Sequence, residues 1–272
     1  MTTLPMPSLL HTAFYKLTPV ADPQAAAAQL RALAAGLTGS VVLAPEGISG
    51  ALAGSAPQVL ALEQALLAHP FWAGMAFKHS ACTTAPFARL KVQVKPHTVA
   101  MALVQSPVDR HNALDPQAWR ALIAQPDVVL LDNRNSFEWR LGHFKGANDP
   151  EVANFRDFPA RITHQAASWR AQGRRVAMYC TGGIRCEKSA GWMRDLGLQV
   201  YQLDGGILRY FEAMPDAHND WTGECFVFDN RIALDTHLQE TATTLEDVYQ
   251  SEPDEAWRLA RARRLQGAVP IP

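Results

Sequence analysis

Val176-Ala-Met-Tyr-Cys-Thr-Gly-Gly-Ile-Arg-Cys-Glu-Lys188 decides how this chain folds. Its first four residues, Val176 to Tyr179, make a short buried strand, the glycine pair interrupts it, and a helix follows from about Glu187 to Leu196. A strand that turns through a glycine loop into a helix is a unit of a parallel sheet, whose functional crevice lies beyond the carboxyl ends of its strands. Cys180 stands at that turn. A thiol there faces loop amides and the positive end of a helix, and Arg185 adds a permanent cation, so thiolate is favoured over thiol. Gly182 and Gly183 lack the Cβ atoms that would hold backbone amides away from a single anionic sulfur. A cysteine that merely fills a core needs neither the glycine pair nor the arginine. Thr181 and Ile184 complete the loop. Cys186 either packs beneath it or acts as a resolving thiol for Cys180.

Outward from this stretch the pattern alternates regularly. A helix opened by Asp115-Pro116 runs to Ala124, and the apolar strand Val128 to Leu131 ends in Asp132. A helix from Phe158 to Ala171, a strand Val200 to Leu203 and a helix opening at Gly205-Gly206 complete the alternation. It predicts an α/β domain over residues 115–229, a doubly wound parallel sheet covered on both faces. Asp132-Asn-Arg134, directly after its strand, is the second feature at the crevice. Residues 98–114 are weakly periodic and read as a linker.

Residues 10–97 are of another type. Asp22-Pro23 opens a helix that ends at Ala35 before Gly36, and a second helix spans about Pro57 to Ala68 with Leu60 and Leu67 on its apolar face. Strand-like runs lie at Thr12 to Leu17, Ser40 to Ala44, Gly50 to Ala53 and Met75 to Ser80, with an extra strand at Arg89 to Val94. The order βαββαβ predicts a ferredoxin-like α+β domain, two helices on one face of an antiparallel sheet. Residues 230–272 form a charged tail with one helical segment near Pro253 to Leu265.

A chain of 272 residues is long enough for two such domains, and 48% hydrophobic against 19% charged residues excludes wholesale disorder. No apolar run approaches the ~18 residues of a membrane span, and the first ten residues lack the order of a secretory leader, so the expected compartment is the cytoplasm. Four cysteines do not make a disulfide framework, and their spacing is not that of a zinc site. A net charge of −1 offers no global field to nucleic acid, so DNA is not expected and an RNA partner needs a local patch. The stretch from Ala76 to His97 is that patch: Lys78, His79, Arg89, Lys91, Lys95 and His97 without one carboxylate. Period-two alternation puts Leu90, Val92 and Val94 inward and Arg89, Lys91 and Lys95 in an outer row, which suits successive RNA phosphates or protects a sheet edge. Arg170, Arg174, Arg175, Lys188 and Arg194 are further cations assigned to the neighbourhood of the thiol. There is no P-loop or dinucleotide fingerprint, and His218-Asn-Asp220 with His237 is a weak match to an iron triad, so no metal or cofactor is identified.

Leu131-Asp-Asn-Arg134 with Phe137-Glu138, then Gly142-His-Phe-Lys-Gly-Ala147, the Cys180 loop and Leu203-Asp-Gly-Gly206 resemble a rhodanese domain in its usual order. The string Met178 to Lys188 is narrower. Together with Leu43-Ala-Pro-Glu-Gly-Ile48, Pro86-Phe87 before Arg89-Leu-Lys-Val92, and Trp221-Thr-Gly-Glu-Cys-Phe-Val-Phe-Asp229, it is similar to the bacterial tRNA uridine(34) hydroxylase family, over about residues 10–235. The resemblance implies an acylphosphatase-like first domain, a rhodanese-like second one, and O2-dependent conversion of the wobble uridine to 5-hydroxyuridine. It implies Cys180 as the essential cysteine, acting as thiolate or persulfide, in oxygen activation or in covalent attack on the pyrimidine. Arg185 is expected to stabilise the developing anion, with Asp132, Arg134 and Lys188 in support. The implied partners are the anticodon stem-loop of tRNA, O2, an electron donor that no motif specifies, and a sulfur donor where a persulfide forms. Two departures stand out. The cysteine-rich segment that some members carry after Phe-Val-Phe-Asp is replaced by the charged tail, and Asn133 occupies the common threonine position, a change expected to be tolerated because Asp132 and Arg134 remain. The competing readings are a plain sulfurtransferase using the same Cys180 and a non-catalytic docking module. A phosphatase is disfavoured by the four residues between Cys180 and Arg185.

Overall fold

Side chains alternating inward and outward build the first sheet of the computed structural model, which describes residues 9–101, 110–249 and 256–266. β1 (Leu9–Leu17), α1 (Pro23–Leu33), β2 (Thr38–Ala44), β3 (Gly47–Gly54), α2 (Ala56–Ala68), β4 (Ala76–Cys82) and β5 (Leu90–Val94) follow in chain order. The sheet order is β4-β1-β3-β2-β5, antiparallel throughout except for the parallel β2–β5 pair. This is the split βαββαβ arrangement with β5 added at one edge. Asp22 starts α1 by accepting from the Gln24 and Ala25 amides at 3.0 and 2.9 Å, with Pro23 in the first turn. Leu30, Val59, Leu62 and Leu66 pack on Phe14, Val41, Leu43, Ile48 and Leu52, so both helices lie on one face of the sheet.

The face that α2 buries is not the expected one. Leu60 and Leu67 are exposed at 46% and 42%, whereas Val59, Leu62, Glu63 and Leu66 point inward. The helix is apolar nearly all round, so periodicity does not choose a face. A polar group does: the buried Glu63 carboxylate accepts the Thr12 hydroxyl at 2.6 Å and meets His79 Nε2 at 2.8 Å.

The other face of the sheet follows from the register. Lys78, Ala13, Ala51, Ser40 and Lys91 lie directly opposite one another across all five strands, and Ala76, Tyr15, Ser49, Val42 and Gln93 form the row two residues along. One end of this face is capped by a return of the chain, Phe228–Ile232, which belongs to this unit. Arg231 grips Asp229 through Nε and Nη2, at 2.9 and 2.7 Å, and donates from Nη1 to Ser80 Oγ at 2.7 Å. His11, stacked on Phe87, is buried under them.

The second unit, 99–227 with 233–244, contains β6 (Ala113–Leu114), α3 (Pro116–Ile123), β7 (Val128–Asp132), α4 (Ser136–Leu141), β8 (Gly142–Phe144), α5 (Phe158–Ala171) and β9 (Arg175–Tyr179). α6 (Ile184–Asp195), β10 (Gln199–Leu203), α7 (Gly206–Ala213), β11 (Trp221–Gly223), β12 (Cys225–Phe226) and β13 (Ala233–Leu234) complete it. Its main sheet is parallel, in the order β6-β10-β9-β7. Successive residues of one strand enter opposite cores: Val128 and Leu130 join Trp119, Ile207 and Tyr210, while Val129 and Leu131 join Ile162, Ala190 and Met193. The sheet is therefore covered on both sides, the rhodanese-like α/β architecture expected. Of the stretch read as linker, residues 102–109 lie outside the described set and Ala113–Leu114 form a strand. Of the tail, α8 (Leu245–Tyr249) and α9 (Ala256–Gln266) are helical and belong to the first unit, while residues 250–255 and 267–272 lie outside the described set. Among the described residues no helix is long and apolar enough to cross a membrane.

Candidate active site

β9 delivers Cys180 to the carboxyl end of the parallel sheet, beside the end of β7, where Asp132 pairs with Tyr179. The chain turns through Thr181 and Gly182 to Gly183, whose φ of +102° is one that side chains other than glycine's rarely adopt, and α6 begins at the next residue. It starts three residues earlier than its periodicity suggests, so Ile184, Arg185 and Cys186 are its first turn rather than loop. That is consequential, because the unsatisfied amides of a first turn point at the sulfur. The Gly183 amide donates to Cys180 Sγ at 3.1 Å. Burial by itself would raise the Cys180 thiol; the Cys186 thiol, the Arg185 charge and the amides of Cys186 and Gly183 outweigh it and bring the pKa down to about 6. At pH 7 roughly nine-tenths of the sulfur is then thiolate. Its neighbour Cys186 is pushed up by burial and by the Cys180 charge, so it stays a thiol and a donor.

The loop is clamped from α7. The amides of Ile207 and Leu208 donate to the Cys180 and Thr181 carbonyls at 3.0 and 3.2 Å. Gly206 makes this possible: a Cβ there would sit 2.4 Å from the Cys180 oxygen and 2.7 Å from that of Thr181. Cys180 itself is 1% exposed, so the sulfur expected to be open to a nucleobase is enclosed, while Thr181, Gly182 and Ile184 at its rim are partly exposed. The Thr181 hydroxyl is buried and has no hydrogen-bond partner among the described residues.

Arg185 does not face the sulfur alone. Its guanidinium forks onto the buried Glu138 carboxylate at 2.9 and 3.1 Å, so much of its charge is already matched. Glu138 also closes the start of α4 by accepting from the Asn135 amide at 3.1 Å. The sequence places it in a motif without a role at the site. Asp132 and Arg134 form a buried clasp: Arg134 donates to Asp132 from Nε and Nη2, at 2.9 and 2.6 Å, and to the Gly142 carbonyl at 2.6 Å. Between them, Asn133 is a contact rather than a bystander. Its Nδ2 donates to Ser189 Oγ at 2.9 Å and approaches Cys186 Sγ at 3.7 Å, which orients the thiol that donates to Cys180.

Lys188 supports the site from below. It is buried, and its Nζ donates to the Val99 carbonyl at 2.8 Å, so it does not present a charge to phosphate. Arg170, Arg174 and Arg175 lie at the wrong end of β9 for the thiol: Arg175 starts the strand, about 16 Å along it from Cys180. There Arg175 pairs with Asp127 at 2.7 Å, and Arg170 and Arg174 bind the Leu196 and Val128 carbonyls at 2.9 and 3.1 Å. Arg194, in the last turn of α6, is at the far end of that helix from the loop. In the first unit Arg89, Lys91 and Lys95 are exposed along β5 and just beyond its ends, but Lys78 is on β4, the opposite edge. Asp220 of the weak iron pattern is held by Tyr210 Oη at 2.8 Å and Arg120 at 2.6 Å, and the described residues contain no group of three or more His, Cys, Asp or Glu placed for a metal.

Two family models match: the UPF0176 acylphosphatase like domain over residues 9–98 and the rhodanese-like domain over residues 115–213. A Deinococcus radiodurans protein named tRNA uridine(34) hydroxylase is 44% identical over 232 residues, 84% of this chain and 76% of the relative. One of the same name from Synechococcus elongatus is 46% identical over 209 residues, 76% and 77% of the two chains. Another, from Legionella pneumophila strain Corby, is 36% identical over 256 residues, 92% of this chain and all of the relative.

Proposed function

This chain belongs to the tRNA uridine(34) hydroxylase family, and from that membership we propose that it hydroxylates C5 of the wobble uridine of tRNA, with Cys180 as the reactive group. One oxygen atom of O2 enters the C5–OH bond, and two electrons and two protons from an external reductant carry the other into water. The observation that supports Cys180 is its sulfur held as an anion by the Gly183 amide, the Cys186 thiol and the first turn of α6. As thiolate, or as a persulfide charged by a sulfur donor, it is a nucleophile at neutral pH. Attack of the sulfur on C6 makes C5 electron-rich, and charge develops on the base; once oxygen has been added at C5, loss of the C5 proton expels the sulfur from C6, which restores the ring and frees Cys180. The partly exposed loop is what such a base meets first, and the Thr181 hydroxyl buried within it has no partner among the described residues, whereas Arg185 is balanced by Glu138.

The substrate end is the anticodon stem-loop, where the wobble base is unpaired and can be splayed into a pocket. Lys78, Arg89, Lys91 and Lys95 are the proposed phosphate contacts, and the cytoplasm is the proposed compartment. The test is nucleoside mass analysis of tRNA from a deletion strain complemented with wild type or Cys180→Ala. 5-Hydroxyuridine derivatives are expected to fall on deletion and return only with the intact thiol. Unaltered hydroxyuridine with altered thiouridine would transfer the assignment to sulfur transfer through the same loop.

A further inference from the structure

The cations that the sequence assigns to the neighbourhood of the thiol lie elsewhere, but the fold brings two others to the rim of its loop. In the parallel β9–β10 pair Gln202 stands opposite Met178, so two residues on, Asp204 and Cys180 leave neighbouring strands at the same level. The Asp204 carboxylate takes a guanidinium on each oxygen, Arg110 Nη2 on Oδ1 at 2.5 Å and Arg209 Nη1 on Oδ2. Arg110 also meets Glu187, in the first turn of α6, at 3.4 Å. Arg209 stands early in α7, directly after Ile207 and Leu208, whose amides hold the Cys180 and Thr181 carbonyls. The Arg110 and Arg209 side chains are 55% and 45% exposed, so both charges face water beside a sulfur that is itself enclosed. Exposed ion pairs of this kind add little to stability, and the mechanism at Cys180 makes no use of them.

We propose that Arg209 and Arg110 seat a backbone phosphate of the substrate tRNA beside the nucleotide that reacts, with Asp204 holding the two guanidinium groups together until that phosphate arrives. The proposal rests on the reading that tRNA is the substrate and adds which groups fix the target nucleotide at the thiol. A base that enters the Cys180 loop stays joined through its ribose to phosphates that must remain outside, at the rim where the arginines are. Each guanidinium carries five donors in a planar fork, so one bond to Asp204 leaves others for phosphate oxygens. A phosphodiester brings a single negative charge, and two cations over one shared carboxylate can accept it. A small sulfur-donor anion has to reach the enclosed sulfur instead, which the exposed arginines do not require.

The full chain is titrated with purified tRNA in filter-binding assays over a range of salt concentrations. Arg209→Gln is expected to weaken binding several-fold and to reduce the salt slope by about 0.7, the share of one single-strand phosphate, whereas Arg209→Lys keeps the charge and the slope. Asp204→Asn is expected to bind more tightly, because it frees both guanidinium groups; a merely structural pair of salt bridges gives the opposite sign. The control is Arg175→Gln, which removes the same charge at the other end of the parallel sheet and is expected to bind nearly as wild type. Wild-type affinity and slope in Arg209→Gln, weaker binding in folded Asp204→Asn, or an equal loss in the control overturns the phosphate seat while leaving the tRNA reading intact. So does an Arg209→Gln variant that keeps its tRNA affinity but loses the protection of Cys180 from iodoacetamide by thiosulfate, which would give the pair to a small sulfur-donor anion. A wild-type protein that binds no tRNA overturns both.

Discussion

The charge on Cys180 is set by a few donors, and they can be removed one at a time. Cys186→Ala takes away the thiol that donates to the sulfur, so the Cys180 pKa is expected to rise by about one unit, with Cys186→Ser rising less because a hydroxyl still donates. Glu138→Gln acts in the opposite direction. It removes the carboxylate that balances Arg185 beside the sulfur, so the thiolate is favoured further, while breaking a buried ion pair costs about 3–5 kcal/mol of stability. Thiolate absorbance followed with pH, against Cys180→Ala as background, reads both; shifts of the same sign in the two variants would contradict this account. Much of this site is legible in the sequence, because the strand, the glycine pair, Cys180 and Arg185 are contiguous. Glu138 is not, since it stands 47 residues before Arg185 and only the fold brings its carboxylate there. Asn133 is illegible for a related reason: a side chain between two charged partners reads as filler until its own contacts, Ser189 and Cys186, are seen.

Elements position these groups, and the α7 start is the sharpest instance. Gly206→Ala places a methyl group against the Cys180 and Thr181 carbonyls at a φ of +71°, so the loop must move. Hydroxylation is expected to fall by about 10²-fold, the scale of an ångström-sized misplacement. At Gly205 the φ is +74° but an added Cβ meets the flexible Arg209 side chain, so Gly205→Ala should cost stability while retaining most activity. Equal activity in the two variants, measured on tRNA by nucleoside mass analysis, would show that the clamp does not position the thiol. The sequence locates most elements within a few residues, but it does not orient them. Arg170, Arg174 and Arg175 are close to Cys180 in number, yet a strand intervenes and carries them to its other end. α2 has apolar residues on every side, and Glu63, by pairing with Thr12 and His79, settles which side turns inward.

At the scale of the whole molecule, the first unit has a built-in sensitivity to acid. Burial and the Arg231 charge lower His11 to about 3, with Asp229 opposing them. A depressed imidazole stabilises the fold above its unfolded pKa near 6.5, and that contribution is lost as pH falls through the window from about 6.5 to 3. Between pH 7 and 4.5 the loss is on the order of 2–3 kcal/mol. His11→Gln is expected to flatten this dependence, and denaturant midpoints at the two pH values check it: an unchanged pH dependence in the variant would remove His11 from the account. The cap over His11 has a further consequence. Asp229-Asn-Arg231 repeats the tripeptide Asp132-Asn-Arg134 and its self-clasp, but it serves the unit that precedes the parallel sheet in the chain. During synthesis the ribosome releases the strands and helices of that unit up to Thr98, and its plug at Phe228 only about 130 residues later, after β6 to β12 have emerged. The part translated earlier therefore waits, with an open flank, for nearly the entire second unit to be made, and a truncation before residue 228 would leave it permanently unsealed.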